Sequence, residues 1–290
     1  MSLEHSELIL NADGSIYHLN ILPEDLADTV ILVGDQNRVS KVSKYFDTIE
    51  VKKEKREFIT HTGTLNGKRI SVISTGIGTD NIDIVLNEID ALANIDFKER
   101  KIKETLKQLQ IIRIGTSGSI QADIPVDSFL LSEYAIGFDG VLHYYTNDNI
   151  QHPELTKAFV EQTNWSSNKP VPYIIKYDEN LGKVLDSNHI RLGFTGTNSG
   201  FYGPQGRVLR LALDDEHFNT KLAAFAYKTL KVTNLEMETS AIYALSKLLG
   251  HSAVSLNCII ANRSTVEFSK NPALAIDNLI KYTLDKLTKD

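Results

Sequence analysis

The segment around Arg113 combines residue types that bind anions. Arg113 stands between isoleucines near the end of an apolar run, and Gly115, Thr116, Ser117 and Gly118 follow it. The glycines let a ligand approach the backbone closely, and the two hydroxyl groups can donate hydrogen bonds. A guanidinium inside an apolar run needs an anionic partner. That partner is either a bound anion such as phosphate or a structural carboxylate, and the segment alone leaves both open.

A similar pattern occurs earlier in the chain. The apolar run 30–33 leads through Gly34 to Arg38, and an apolar helical pattern follows. A glycine turn before a helix exposes backbone N–H groups suited to an anion, over which Arg38 can close. Taken alone, an ordinary turn with a surface arginine is the simpler interpretation. The later turn Gly76-Ile77-Gly78 lacks the third glycine of a dinucleotide-binding motif, so we expect it only to pack near the site.

Two carboxylates begin a helical pattern at Glu236-Met237-Glu238. Because one residue separates them, Glu236 and Glu238 cannot share a helical face. One can serve the helix N-terminus, and the other can accept hydrogen bonds from vicinal sugar hydroxyls beside the apolar Met237. Two first-turn carboxylates favoured by the helix dipole are the common alternative.

A third segment brings together an aromatic ring, an amide and a guanidinium: Phe201, Gln205 and Arg207. This set can stack on a pyrimidine base and hydrogen-bond to its edge. A plain glycine and proline turn needs none of the three.

The elements that must position these residues alternate between strand and helix patterns. Strands are predicted at 29–34, 58–65, 69–74, 110–115, 128–135, 173–176, 191–195 and 253–261. Helices are predicted from an Asp80 cap, over 236–249, from Asn271-Pro272 and, as a charged surface helix, over 97–110. The alternation predicts an α/β fold with a central, largely parallel sheet in a single domain, residues 1–290.

Composition excludes several classes of function. The net charge of −6 gives no global attraction to nucleic acid or to an anionic membrane. The lone Cys258 excludes an intramolecular disulfide and any site made of several cysteines. Neither a signal peptide nor an apolar run of membrane-spanning length is visible, so we expect a cytoplasmic protein that does not bind membranes.

Taken in order, six motifs resemble the nucleoside phosphorylase family, and specifically its uridine phosphorylase branch. They are Gly-Asp-x-x-Arg at 34–38, Arg-Glu-Phe at 56–58, Ser-Thr-Gly-Ile-Gly at 74–78, Arg-Ile-Gly-Thr-Ser-Gly at 113–118, Phe-Tyr-x-x-Gln-x-Arg at 201–207 and Glu-Met-Glu at 236–238. The similarity runs from Tyr17 to Ser264. It implies a mixed, distorted barrel-like sheet flanked by helices. It also implies a pentosyltransferase that uses inorganic phosphate to cleave uridine to uracil and ribose 1-phosphate, with deoxyuridine and thymidine as further candidate substrates and no cofactor.

The resemblance implies a role for each matching residue. The phosphate-binding residues would be Gly34, Arg38, Arg56, Arg113 and Thr116. The ribose-binding residues would be His18, Thr116, Met237 and Glu238. The base-binding residues would be Ser117, Gly118, Phe201, Gln205, Arg207, Ile260 and Arg263. The catalytic residues would be Arg113, Gln205, Arg207 and Glu238.

Two of these residues imply an assembly. In the family, His18 and Arg56 would reach into the site of a neighbouring subunit, so we expect a homodimer or a hexamer built of dimers. No metal is expected, although Glu57, Ile70 and Ser74 match positions that hold a monovalent cation in some relatives.

The chain departs from the family pattern at Gln36, where relatives have proline, and at Pro204, where they usually have glycine. Because proline restricts its own φ and the residue before it, the loop that binds the base is expected to sit differently.

Three alternatives remain open. A purine nucleoside phosphorylase would need an aspartate near 260–262, where this chain has Ile-Ala-Asn. A hydrolytic nucleosidase would have no use for the arginines at 38, 56 and 113. A nucleoside-binding protein without catalytic activity would keep the same pocket.

Overall fold

The computed structural model describes residues 2–147 and 149–289 of the chain. Within them the strands are β1 (Thr29–Val33), β2 (Thr48–Lys55), β3 (Phe58–Leu65), β4 (Lys68–Ser74), β5 (Ile95–Asp96), β6 (Lys101–Ile102), β7 (Gln110–Ser119), β8 (Phe129–Gly137), β9 (Tyr173–Lys176), β10 (Ile190–Thr197), β11 (Val232–Glu236), β12 (Ser252–Asn262) and β13 (Glu267–Phe268). The helices are α1 (Gln36–Ser43), α2 (Thr79–Asn94), α3 (Pro153–Thr163), α4 (Glu179–Leu185), α5 (Phe218–Ala224), α6 (Thr239–Leu248) and α7 (Pro272–Thr288).

Five of the strands close into a barrel. Around the ring, β7 pairs with β12, β12 with β8, β8 with β10, β10 with β11, and β11 again with β7. From β7 the sheet continues outward through β1, β4, β3 and β2. Parallel pairs join β1 to β4 and β7, whereas hairpins such as β2–β3 are antiparallel. The sheet is therefore mixed, and a barrel forms one end of it.

Helices cover both faces of the open part of the sheet. Val30 and Leu32 of β1 belong to an apolar cluster with α2 and α6, and Ile31 and Val33 belong to another with α1, α4 and α7. A strand covered on both faces is apolar at every position, which explains the uninterrupted run in β1. A third cluster packs α3 and α5 against the barrel around Phe159 and Phe194.

The predicted α/β fold class with a mixed, barrel-like sheet and flanking helices is confirmed. Each predicted strand is present within a few residues of its expected bounds, and α7 begins after the predicted cap, Asn271, whose side chain accepts from the N–H of Leu274. The strand predicted at 110–115 is longer than expected. It continues to Ser119 because Gly118 and Ser119 pair with β11 and β12, so the expected loop after Arg113 is a strand.

The helix predicted over 236–249 begins later. Glu236 is the last residue of β11, a strand that was not predicted, and α6 starts at Thr239. The Glu236 carboxylate accepts from the N–H groups of Glu238 and Thr239, so it satisfies the helix N-terminus from outside the helix. The predicted Asp80 cap is also wrong: α2 begins at Thr79, so Gly78 takes the cap position and Asp80 lies in the first turn.

The surface helix predicted over 97–110 is wrong. The chain forms the short hairpin β5–β6 and then runs without regular structure to β7. The Asp96 carboxylate accepts from the N–H groups of Lys98 and Glu99, which stabilises a turn, and Arg100 takes a positive φ of 52°. The Arg100 guanidinium binds the carbonyl oxygens of Leu3, Glu4 and Leu8. Arg100 therefore binds the N-terminal residues, and the segment does not form a solvated helix.

Besides β11, the strands β2, β5, β6 and β13 were not predicted. The side chains of β2 are mostly charged and exposed and lack the apolar alternation of a strand. In the part of the chain that the structure describes, no helix combines the length and apolarity needed to cross a membrane.

Candidate active site

Arg113 lies inside the barrel end of the sheet and is paired with carboxylates. Its Nη2 atom lies 2.6 Å from Glu238 Oε2 and 3.1 Å from Glu236 Oε2. Its Nη1 atom donates to Asn257 Oδ1 at 3.1 Å. Burial lowers the pKa of Arg113, but Glu236 and Glu238 outweigh this effect and raise the pKa above its usual value. Nη1 also donates to Ser255 Oγ at 3.4 Å. Phosphate binding at Arg113 must therefore use the N–H groups that these partners leave open, Nε among them, or displace one of the partners.

The carboxylates of Glu236 and Glu238 have different hydrogen-bond partners. Glu236 accepts from Thr197 Oγ1, Thr239 Oγ1 and the backbone of α6, so its oxygens serve the fold. Glu238 Oε2 accepts from Arg113, and Glu238 Oε1 accepts from the N–H of Gly78 at 2.9 Å. Because each carboxylate oxygen has two lone pairs, Glu238 can still accept from a hydroxyl of a ligand. Burial raises the pKa of Glu238, Arg113 opposes the rise, and Glu236 adds to it.

Arg38 brings a second buried guanidinium to the same region. It is 8% exposed, and its Nη1 atom donates to the carbonyl oxygen of Ile114 at 3.2 Å. Burial lowers the pKa of Arg38, and the nearby charge of Arg113 lowers it further. Arg38 and Arg113 together balance the charges of the two glutamates, so a bound phosphate would need additional positive charge.

The Gly34 turn is partly used by the fold itself. The side chain of Asp35 caps α1 and accepts from the N–H of Asn37 at 2.9 Å. The N–H of Asn37, one of the backbone donors predicted to bind an anion, is therefore already bonded to a carboxylate. The Gly34 and Gly76 turns are in contact, since a Cβ on Gly34 would lie 3.4 Å from the carbonyl oxygen of Gly76.

Gly115 is required by the position of Arg113. A Cβ on Gly115 would lie 1.8 Å from Arg113 Nη1, so the guanidinium folds back over the glycine of its own strand. The next residue, Thr116, is half-buried and follows Gly115 along β7. Arg38, Arg113 and Glu238 thus lie near one another at one end of the barrel, and Thr116 lies three residues after Arg113 on β7.

Polar side chains connect this end to the rest of the barrel interior. Asn257 binds Arg113 through Oδ1 and donates to Ser132 Oγ through Nδ2 at 3.2 Å. Ser132 bonds to Thr195 at 2.6 Å, and Thr195 donates to Asn234 Oδ1 at 3.0 Å. Asn234 then donates to Ser117 Oγ at 2.9 Å. A continuous chain of hydrogen bonds thus runs from Arg113 to Ser117, and it holds these side chains in fixed orientations.

The predicted base-binding residues converge on a loop between β10 and α5. Arg207 Nη1 donates to Gln205 Oε1 at 2.6 Å and to the carbonyl oxygen of Phe201 at 2.7 Å. The Arg207 guanidinium lies 3.9 Å from the centre of the Phe201 ring. Arg263 donates to the carbonyl oxygen of Gln205. Burial lowers the pKa of Arg207, and burial and then Arg207 lower the pKa of Arg263.

Pro204 lies within a single turn of 3-10 helix, Gly203–Gln205, that ends at Gly206 with a φ of 66°. Gln205 is almost completely buried, whereas the Phe201 ring is half exposed. Behind the turn lies a cavity of about 320 Å³ that reaches the aromatic cluster of Phe138 and Trp165. The loop is therefore supported from behind less completely than the strands of the barrel are.

The remaining predicted base contacts are on neighbouring strands. Gly118 lies against Arg263, whose Cγ would be 4.0 Å from a Cβ on Gly118. Ile260 lies where the pairing of β12 with β7 shifts register between Ile259 and Ala261. Met237, between the two glutamates, is half-buried.

His18 and Arg56 lie together and apart from the Arg113 cluster. The His18 ring packs on Tyr17 and Phe58, and the Arg56 guanidinium lies 5.9 Å from the centre of the Tyr17 ring. His18 binds Glu88, ten residues along α2 from Gly78, which binds Glu238. Ten helical residues span about 15 Å, more than one ribose covers. The residues that hold His18 and Glu238, Glu88 and Gly78, are thus about 15 Å apart along α2.

The three residues matched to a monovalent cation site are not all together. Ser74 Oγ donates to the carbonyl oxygen of Glu57 at 2.6 Å. Ile70 is fully buried four residues earlier on β4, opposite Thr29 and Gly63. Within residues 2–147 and 149–289, no group of three or more His, Cys, Asp or Glu side chains could hold a metal ion.

Several residues of this site were missed from the sequence. Asn257, Ser132, Thr195 and Asn234 form the buried chain of hydrogen bonds, and none was singled out. A signal existed in β12, where Ser255 and Asn257 alternate with apolar residues in a strand otherwise expected to be buried on both faces. Buried polar residues at alternate positions indicate a polar interior such as this barrel has.

Comparisons with known proteins agree with this fold. The sequence pattern of the phosphorylase superfamily matches residues 28–286. The crystal structure of a Trypanosoma brucei nucleoside phosphorylase with uridine phosphorylase activity superposes with a TM-score of 0.88 at 30% identity, covering 98% of this chain and 100% of that one. The uridine phosphorylase of Thermococcus kodakarensis is 29% identical over 263 residues, 89% of this chain and 81% of the relative. A DeoD-type purine nucleoside phosphorylase of Oceanobacillus iheyensis is 26% identical over 275 residues, 91% of this chain and 99% of the relative.

Proposed function

The chain belongs to the phosphorylase superfamily and is a pentosyltransferase that acts on a nucleoside and phosphate; we propose that the nucleoside is uridine, cleaved to uracil and ribose 1-phosphate. Relatives named for uridine and for purine nucleosides both match over most of the chain, so the choice of base must be argued from the site.

The loop that carries Gln205 and Arg207 is the observation that favours uridine. Beside the Phe201 ring, Arg207 donates to the side-chain amide oxygen of Gln205, and Arg263 donates to the backbone carbonyl oxygen of Gln205. Uracil leaves with negative charge spread over its carbonyl oxygens, and fixed cations and N–H donors stabilise that charge most strongly in the transition state. Phe201 supplies a face on which a pyrimidine can stack.

The position where purine-cleaving relatives place an acid has a structural role here. Asn262 Nδ2 donates to the carbonyl oxygens of Gln121 and Ile124, and its Oδ1 atom accepts from Ser264 and Thr265. This amide is fully engaged in holding loops, and it cannot protonate a purine. Its surroundings therefore support a pyrimidine substrate.

The sugar and phosphate are assigned to the barrel end. Phosphate attacks C1′ while the bond to the base breaks, so the sugar develops positive charge. Arg38 and Arg113 hold the nucleophile, and the phosphate charge stabilises the sugar cation. Glu238 accepts from the ribose hydroxyls with the lone pairs that Arg113 and Gly78 leave free. These side chains supply the charges that the reaction needs, and we propose no cofactor and no metal.

A second copy of the chain completes each site in this proposal. The buried charges of Arg38, Arg113, Glu236 and Glu238 balance, so a phosphate dianion calls for a further cation. Arg56, exposed and beside Tyr17, supplies that cation to a neighbouring subunit, and His18 serves the ribose there. The separation of His18 from Glu238 along α2 supports this exchange. We therefore propose a homodimer, or a hexamer built of such dimers.

The test of the reaction is uracil release from uridine, followed by absorbance with and without inorganic phosphate, with inosine as the comparison substrate. Turnover of uridine that requires phosphate is the expected result. Turnover without phosphate would indicate a hydrolytic nucleosidase, and turnover of inosine alone would reject the base assignment. Uridine binding without turnover of either substrate would indicate a binding protein.

The shared site is tested by mixing two variants. Arg56→Ala and Glu238→Gln are each expected to be weakly active alone. In a mixed dimer one site carries both changes and the other carries neither, so random reassembly should restore about a quarter of wild-type activity. Failure of the mixture to gain activity, with mixed dimers shown by native mass spectrometry, would contradict a site shared between subunits.

A further inference from the structure

Glu88 gathers three hydrogen bonds from one short segment. Its carboxylate accepts from the backbone N–H of His18 at 3.0 Å, from that of Leu19 at 2.8 Å and from the imidazole Nδ1 of His18 at 2.6 Å. The Glu88 side chain is 12% exposed and the His18 side chain 25% exposed. The contact therefore binds both the backbone and the ring of a residue that is still open to a ligand.

The carboxylate selects the position of the imidazole proton. An ionised carboxylate only accepts hydrogen bonds, so Nδ1 must carry hydrogen when it lies 2.6 Å from Glu88. In the neutral ring Nε2 is then the acceptor. Tyr17 and Phe58 pack edge-on to the ring, with centroids 4.8 and 6.1 Å away. Among the described residues Nε2 has no hydrogen-bond partner, so it remains available.

We propose that Glu88 is a positioning residue for nucleoside cleavage. It holds the His18 ring with hydrogen on Nδ1, so that Nε2 accepts the 5′-hydroxyl hydrogen of a nucleoside bound to the partner subunit. The proposal rests on the proposed function, but only on the cleavage of a nucleoside, because the 5′-hydroxyl is common to pyrimidine and purine substrates.

The kinetic test compares a nucleoside with its 5′-deoxy analogue. Wild-type turnover is measured first, and the pair used is uridine with 5′-deoxyuridine, or inosine with 5′-deoxyinosine if the base assignment fails. Glu88→Gln is expected to lower kcat/KM for the hydroxylated substrate about three- to tenfold, the value of one hydrogen bond, and to leave the deoxy substrate within about twofold. His18→Ala should do the same, and the double variant should be no worse than His18→Ala.

The matched control is Asp83→Asn on the same helix. Asp83 accepts from Tyr145 and Asn87 and does not contact His18, so its loss should not discriminate between the two substrates. Equal losses on both substrates in Glu88→Gln would show a merely structural role and overturn the proposal. A wild-type enzyme indifferent to the 5′-hydroxyl would overturn it as well.

A spectroscopic measurement keeps the proposal testable if Glu88→Gln does not fold. In wild-type protein with ¹⁵N-labelled histidine, the His18 signals are identified by their absence in His18→Ala. Hydrogen on Nδ1 in the neutral ring is the expected result. Hydrogen on Nε2 would overturn the proposal whatever the kinetics, because that nitrogen could not then accept from the ligand.

Discussion

Arg113 and Arg207 are both assigned to the charge that develops during cleavage, yet their surroundings are opposite. Arg113 is 5% exposed, and strands and two carboxylates hold both terminal nitrogens of its guanidinium. Arg207 lies half-buried on a loop, where Nη1 binds a backbone carbonyl and the Gln205 amide, above a half-exposed ring. One arginine is fixed by the barrel, and the other by a turn with a cavity behind it.

The site has a barrel end, with Arg38, Arg113 and Glu238, and a loop end, with Gln205 and Arg207. The difference between the two arginines matches the part of the substrate that each end would meet. Inorganic phosphate and the sugar are the same whichever base is cleaved, and a rigid site on strands suits a constant ligand. The base varies between substrates, and loops accept sequence change with less cost to the fold. This explains how relatives named for uridine and for purine nucleosides can share one framework. The barrel end is expected to dominate stability, and the loop end to dominate the choice of base.

The largest expected effect is on stability, from Arg113→Met. Removing the guanidinium leaves Glu236 and Glu238 buried without a cation, which should lower the free energy of unfolding by about 3–5 kcal/mol. Arg207→Met, the same change at the loop, should alter it by about 1 kcal/mol or less. Urea unfolding at one fixed protein concentration measures both. Equal losses would remove the contrast between the two ends.

The next effect is kinetic and belongs to the loop. Arg207→Ala should lower kcat on uridine by about 10²-fold and change KM little, because its donors serve the leaving base mainly in the transition state. Steady-state kinetics with saturating phosphate measure the two constants. A rise in KM at unchanged kcat would limit Arg207 to binding the substrate. Lys228→Ala, an exposed cation outside the site, is the control and should leave both constants unchanged.

The sequence predicted the two ends unequally. The apolar composition of the strands and the six motifs were enough to predict the fold class and to name most of the residues that meet at the barrel end and at the loop. The orientation of Arg113 could not be predicted, because its partners Asn257 and Glu238 are more than a hundred residues away in the chain. Local pattern also failed at 97–110, where Arg100 binds distant carbonyl groups that no helical period reveals. Non-local hydrogen bonds thus account for both failures.

Gly115→Ala tests whether the barrel end is as rigid as its contacts indicate. The new Cβ would overlap Arg113 Nη1 at 1.8 Å, and Glu238 and Asn257 restrain the guanidinium from moving. A loss of about 1–3 kcal/mol in the free energy of unfolding is expected. Gly118→Ala, on the same strand with its nearest contact at 3.9 Å, should change stability by about 1 kcal/mol or less. Similar values for the two variants would show that Arg113 shifts freely.

The smallest expected effect is on how the free energy of unfolding depends on pH, through Glu238. Burial raises its pKa in the folded protein above the usual 4.5, although Arg113 opposes the rise. The folded state therefore holds this proton to higher pH than the unfolded state, so Glu238 favours folding below about pH 4.5 and loses that contribution as pH rises through its folded pKa. Glu238→Gln lacks this proton equilibrium. The stability of wild type minus that of Glu238→Gln should thus fall as pH increases above about 4.5. The base loop has no equivalent group, because among the described residues no carboxylate contacts Arg207. A difference that rises with pH would mean that Arg113 holds the folded pKa below its usual value, and the barrel end would then be governed by its ion pair and not by burial.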